Sequence, residues 1–241
     1  MIHASLLRRC TVVLIVALAG VLAQAQPTDA LVKDILAQRV DVDKQAVGLA
    51  AIIVNGDQVR IVTHGFQALD KAAPITADTL FEIGSITKTF TALLLADMVV
   101  KGELKLDDPV EKWLPQGLSV GMNGLKLRDH TGAQIRLVDL ATHRSGLPRL
   151  PDNMPNSNRA DPYADYREQQ LLMYLKSRET VVETDAGKTT KQRDETYAYS
   201  NFGFGLLGYV LARAANMSYD ELLQKRVLTP LGLTSTYLDT P

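Results

Sequence analysis

Ser85-Ile86-Thr87-Lys88 sets a hydroxyl and an amine three residues apart at the head of an apolar stretch. On a helix, residues so spaced share one face about one turn apart. A Ser at a helix N-terminus meets free backbone N–H groups and the positive end of the macrodipole, which favour developing negative charge. An amine on the same face, buried among apolar side chains, is favoured as a neutral proton acceptor. Tyr199-Ser200-Asn201 is the second constellation. Phenols and ammonium groups have ordinary pKa values of roughly 10. A Tyr beside a Lys therefore shares one proton with it, and the pair can take a proton from Ser and return it to a leaving group. The Asn201 amide can hold the Lys amine and a substrate amide at once. The bland alternatives are a capping Ser85 with a solvated Lys88, and Asn201 as the cap of the next helix.

Several elements must position these groups. Leu31 to Val40 has helical spacing, and Val47–Val54, Asn55-Gly56 and Gln58–Phe66 read as strand, tight turn and returning strand. Ser85 to Val100 reads as a helix apolar nearly all round, hence central and buried. Pro109 starts a short helical piece. Leu125-Lys126-Leu127 and Ile135-Arg136-Leu137 read as a small hairpin around Thr131-Gly132, and Pro148 to Pro162 as a surface loop. Asp165 to Lys176 reads as a helix. So does Phe202 to Ala214, with Gly205, Gly208 and Ala212 along one side for close packing. Ser218 to Glu221 fits a capping box opening a last helix that stops near Pro230.

Composition removes whole classes of function. The chain has 241 residues with Lys+Arg 26 against Asp+Glu 27, so no basic nucleic-acid surface is implied. Its lone Cys10 excludes an intramolecular disulfide framework and a zinc site built on several cysteines. His3, His64, His130 and His143 lack metal-ligand spacing, and His143 reads as a structural hydrogen-bonder. No metal or organic cofactor is expected. A Gly-x-Ser-x-Gly elbow and a Ser-Asp-Asn motif are missing, and Gly187-Lys188-Thr189 has Val182 where a phosphate loop needs Gly. Tyr163, Tyr166 and Tyr174 read as surface or packing residues.

Arg8-Arg9, the apolar run Thr11–Leu22 and Ala23-Gln24-Ala25 have the layout of a secretory signal peptide cleaved after Ala25. The run is shorter than the ~20 residues that span a bilayer. The expectation is a signal peptide over 1–25, a single domain over 26–241, a periplasmic or secreted location, no membrane span after cleavage, and a monomer.

Four signatures stand in order. They are Phe81-Glu82-Ile83-Gly84-Ser85-Ile86-Thr87-Lys88-Thr89-Phe90-Thr91-Ala92, Leu106-Asp107-Asp108-Pro109-Val110, Leu140-Ala141-Thr142-His143-Arg144-Ser145-Gly146-Leu147-Pro148 and Tyr199-Ser200-Asn201. From roughly Leu31 onward the chain closely resembles the class C β-lactamases, a family that also holds D-alanyl-D-alanine carboxypeptidases and some esterases. The resemblance implies an α/β fold of the α+β type, with an antiparallel sheet flanked by helices plus a helical lobe. It implies Ser85 as acyl-accepting nucleophile, Lys88 and Tyr199 as the proton-transfer pair with either as the base, and Asn201 as a contact to substrate and to Lys88. The substrate implied is a β-lactam or a peptidoglycan-type D-Ala-D-Ala peptide. A carboxylesterase on the same site is the first alternative. A penicillin-binding sensor that stays acylated, or an inactive remnant, is the second.

Two departures accompany the resemblance. The family carries a third motif, Lys-Thr-Gly or a His variant, on a late strand whose backbone supplies half of the oxyanion hole; the nucleophile's own N–H supplies the other half. His130-Thr131-Gly132 matches in letters and Arg144-Ser145-Gly146 nearly does, but both precede Tyr199, the wrong order. The expectation is a chain that stops at Pro241 before the C-terminal strands. After Gly146-Leu147-Pro148, where class C enzymes usually place a substrate-contacting Gln, stands Arg149-Leu150-Pro151-Asp152-Asn153. This weakens the strict β-lactamase reading and favours a peptidase- or esterase-like relative; Asn153 is not counted as a substitute amide.

Overall fold

Thr28 opens the first helix, its hydroxyl accepting the Leu31 N–H at 3.2 Å as an N-cap satisfies an orphan donor. A computed structural model describes this helix and the rest of residues 26–71, 73–115, 127–129, 133–155, 161, 163–184 and 197–239. The signal-peptide segment, His130-Thr131-Gly132 and Gly187-Lys188-Thr189 lie outside the described residues. The chain divides into two compact units, Met1–Glu82 and Ile83–Pro241.

In the first unit, α1 (Asp29–Ala37) runs into a π-helical turn, Gln38–Val42. The antiparallel strands β1 (Gly48–Asn55) and β2 (Gln58–Gly65) follow, paired from Gly48↔Gly65 to Asn55↔Gln58. The Gly56-Asp57 connection needs a positive φ, and Gly56 supplies it at 59°. Helix α1 packs on β2, and Arg60 pairs with Asp29. Among the described residues this is the one sheet, with two strands.

The second unit is helical. A 3₁₀ turn, Gly84–Ile86, leads into α2 (Thr87–Val100). α2 buries Thr91, Leu94, Leu95 and Met98, while Leu93 and Val100 stay exposed. The all-round apolar pattern thus overstated its burial. A second 3₁₀ turn, Val110–Trp113, follows Pro109 as expected. Helix α3 (Leu137–Ala141) begins on the last residue of the expected Ile135-Arg136-Leu137 strand. Asp139 decides this: its carboxylate accepts the Arg136 N–H at 2.8 Å, closing the first turn. Of the expected hairpin, Leu125 and Lys126 lie outside the described residues. The described part pairs through the Arg128↔Gln134 bridge, with the Asp129 N–H donating to the Ala133 carbonyl at 2.9 Å and the Ile135 N–H to the Leu127 carbonyl at 3.1 Å.

Helix α4 (Glu168–Thr184) starts later and runs further than its pattern suggested. Helix α5 (Asn201–Ala215) is the centre of the unit, packing on α2, α3 and α6 (Tyr219–Leu223). Its Leu206, Leu207, Val210 and Leu211 are fully buried. Each contributes about 1.5–3 kcal/mol of apolar burial. α6 opens with the expected capping box, Ser218 and Glu221 bonding reciprocally at 2.9 and 3.1 Å. It continues as a π-helical turn, Gln224–Leu228.

Candidate active site

Ser85 sits in the 3₁₀ turn ahead of α2, not in the helix proper. Gly84 makes the turn possible with φ 52°. Residues three apart eclipse in this tighter geometry, and the half-buried Lys88 amine donates to Ser85 Oγ at 3.0 Å. The bland reading of Ser85 as a cap with a solvated Lys88 therefore fails.

Tyr199, 114 residues further on, donates its hydroxyl to the same Ser85 Oγ at 2.5 Å. Asn201 Oδ1 accepts from Lys88 Nζ at 2.8 Å. The four residues singled out by type and spacing thus meet at one oxygen and one amine. Lys88 Nζ also lies 4.8 Å from the Tyr199 ring centre and 5.8 Å from that of Phe204. The Tyr199 phenol is held below its ordinary pKa of 10, first by the Lys88 hydrogen bond and then by that of Ser85.

The 197–200 segment that carries Tyr199 is held by the chain that follows α3. His143 carbonyl accepts the Ala198 N–H at 2.8 Å, and Arg149 carbonyl accepts the N–H groups of Asn201 and Phe202 at 3.0 and 3.3 Å. Ser200 donates its hydroxyl to Pro148 carbonyl at 2.6 Å and accepts the Gly203 N–H at 2.8 Å. Ser200, and not Asn201, is therefore the cap of α5, which leaves the Asn201 amide free for Lys88. The Leu106-Asp107-Asp108 segment braces α3 in turn. The Val138 and Leu137 N–H groups donate to Leu106 and Asp108 carbonyls at 3.0 and 3.1 Å, and Arg136 pairs with both Asp107 and Asp139.

Arg149 was not singled out as a site residue, yet its guanidinium stands 5.2 Å from the Tyr199 ring centre. Its one sequence signal was occupying the usual Gln segment. Asn153 does not offer its amide to the site. Its Nδ2 donates to Gln170 carbonyl at 2.8 Å and its Oδ1 accepts from Tyr166 at 3.3 Å. Tyr174 is buried against Phe202 and Tyr163 is exposed, as packing and surface residues should be. Among the described residues no three His, Cys, Asp or Glu side chains gather as around a metal ion, and no helix is long and apolar enough to cross a membrane.

A helical unit that aims an amine and a phenol at one seryl oxygen can take that hydroxyl's proton and so ready it to attack a carbonyl. The family model described as Beta-lactamase matches residues 28–241, and the chain belongs to that family. It is 30% identical over 196 residues to a Beta-lactamase of Escherichia coli (strain K12), covering 80% of this chain and 44% of that protein. It is 29% identical over 198 residues to the D-alanyl-D-alanine-carboxypeptidase/endopeptidase AmpH of the same organism, covering 81% and 46%. A solved Beta-lactamase/D-alanine carboxypeptidase from Yersinia pestis superposes with TM-score 0.67 at 26% identity, over 89% of this chain and 57% of that one. A class C beta-lactamase in complex with cefoxitin gives TM-score 0.65 at 29% identity, over 88% and 52%. The expected α/β fold is thereby established. The chain spans about half the length of the curated relatives it matches.

Proposed function

We propose that this protein is a serine acyl hydrolase acting on β-lactams or D-Ala-D-Ala-type peptides through an acyl-enzyme at Ser85. The observation that carries the reading is the convergence of Lys88 Nζ and Tyr199 Oη on Ser85 Oγ, at 3.0 and 2.5 Å. The depressed Tyr199 pKa supports a phenolate as the base, with Lys88 stabilising it. Ser85 Oγ attacks the substrate carbonyl carbon as its proton passes to Tyr199, and the carbonyl electron pair moves to oxygen. Collapse breaks the C–N bond, and Tyr199 returns the proton to the leaving nitrogen. Water attacks the ester, releasing the acid and regenerating Ser85. Asn201 orients Lys88 and offers its amide to the substrate. The Ser85 N–H is one oxyanion donor in this reading. Names among the relatives, β-lactamases and a carboxypeptidase, support both substrate classes. Export through a leader cleaved after Ala25, and action as a monomer, belong to the same proposal.

A second reading, ester hydrolysis at the same Ser85, is favoured by the engaged Asn153 amide and the exposed Arg149 in the segment expected to contact the substrate amide. Turnover of nitrocefin, a D-Ala-D-Ala peptide and p-nitrophenyl butyrate separates the cases. The expected result is hydrolysis of one of the first two, lost in Ser85→Ala. Turnover of the ester alone selects the esterase, and a penicillin adduct lasting hours without turnover selects a sensor. No adduct and no turnover in folded protein overturns the reading.

A further inference from the structure

We propose that His143 is a positioning residue that holds the Tyr199 phenol against Ser85. His143 follows α3 with φ 58°, in the left-handed region that a non-glycine residue enters at a cost of order 1–3 kcal/mol. Such a conformation persists where surrounding contacts over-determine it, and here they can be named. The His143 carbonyl accepts the Ala198 N–H at 2.8 Å. Its Nδ1 accepts the buried Ser200 N–H at 3.0 Å. The residues on either side of Tyr199 are thus tied to one histidine. The imidazole face lies against the Tyr199 ring, centroids 4.5 Å apart at 31°. Phe204 of α5 backs the imidazole at 4.9 Å, and Tyr197 meets it edge-on at 5.5 Å. With two backbone anchors and one ring face, Tyr199 has little freedom to swing from Ser85.

An Nδ1 that accepts a backbone N–H carries no proton, so the ring is the neutral Nε2–H tautomer. Its surroundings agree. Burial, and then the charge of Lys88 on α2, push its pKa below the ordinary value. His143 touches no reacting atom; it acts through Tyr199.

The functional weight of this inference rests on the acyl-transfer reading of Ser85, so its test includes a readout independent of catalysis. Carbon-13 tyrosine NMR follows the Tyr199 phenol through its titration, with Tyr199→Phe assigning the signal, while fluorescent penicillin reports acylation. His143→Phe keeps a ring but removes the acceptor, leaving the Ser200 N–H unpaired. His143→Asn suits a positive φ and puts Oδ1 in the place of Nδ1, but removes the ring face. Either folded variant should move the Tyr199 midpoint up toward 10 and slow acylation at least tenfold, with weaker effects in His143→Asn than in His143→Phe. If His143→Phe does not fold, His143→Asn carries the test. A shifted midpoint in a protein whose wild type never acylates supports the positioning role and overturns the hydrolase reading. Wild-type midpoint and acylation rate in the folded variants overturn the inference.

Discussion

The Arg149 guanidinium stands 5.2 Å from the centre of the Tyr199 ring, and Lys88 Nζ stands 4.8 Å from the same centre. The hydrogen bonds from Lys88 and to Ser85 lower the phenol pKa most, and the charges of Lys88 and Arg149 add to them. A phenolate base therefore forms below pH 10, and acylation should rise with pH and level off before the ordinary Tyr value. Arg149→Ala removes the smallest of these influences and should move the rising limb of the acylation profile to higher pH. An unmoved profile would remove Arg149 from the electrostatics of the site.

His143 also links stability to pH. Its folded pKa lies below the ordinary 6.5 because burial, and then Lys88, disfavour the cation. As pH falls through about 6.5, the unfolded chain takes up the proton before the folded one does. Stability present above that value is thus lost as pH falls toward the folded pKa. Urea unfolding at pH 7.5 and pH 5.0 should show a larger loss in wild type than in His143→Phe. Equal losses would contradict a buried neutral imidazole.

Two glycines of α5 should respond oppositely to a methyl group. A Cβ at Gly205 meets nothing within 4 Å, so Gly205→Ala should stabilise by about 0.5–1 kcal/mol through helix propensity. A Cβ at Gly208 would lie 3.2 Å from the Tyr219 ring, whose hydroxyl is 2.7 Å from Thr91 Oγ1. Gly208→Ala should destabilise by about 1–3 kcal/mol. Thermal or urea unfolding of the two variants checks the signs.

Asp139→Ala removes the acceptor of the Arg136 N–H and one of the two carboxylates that hold the Arg136 guanidinium. A loss of about 1.5–3 kcal/mol is expected for hydrogen bonds to a charged group. Because α3 leads directly into His143, slower acylation should accompany the loss. Wild-type stability in this variant would mean that α3 needs no such closure.

The chemistry was more legible than the local geometry. Ser85, Lys88, Tyr199 and Asn201 were candidates by residue type, but the spacing alone is a weak signal; the four signatures standing in order made them the expected site, and the structure brings all four together. The hairpin itself was legible because Asn55-Gly56 between two strand-like runs signals a tight turn, but its register was not: Asn55 still pairs with Gln58, so the turn is Gly56-Asp57, one residue later than expected. Ile135 pairs with Leu127 as the expected hairpin requires, but Leu137 turns helical: a short alternating run fits a strand as well as a helix start, and the Asp139 carboxylate on the Arg136 N–H starts the helix. Ser200 and Asn201 are both good caps; the Gly203 N–H donating to Ser200 Oγ shows that Ser200 serves, and that hydroxyl is held in place by the Pro148 carbonyl, 52 residues away in sequence. Arg149 carried no spacing rule, since a cation over an aromatic ring is a purely tertiary contact.

The most direct test of the central claim is peptide mapping by mass spectrometry after a brief exposure to penicillin. The account predicts one adduct, on Ser85, formed at least a hundredfold more slowly in Tyr199→Phe and absent in Ser85→Ala. An adduct on another residue, or a Ser85 adduct whose rate is indifferent to Tyr199, would contradict it.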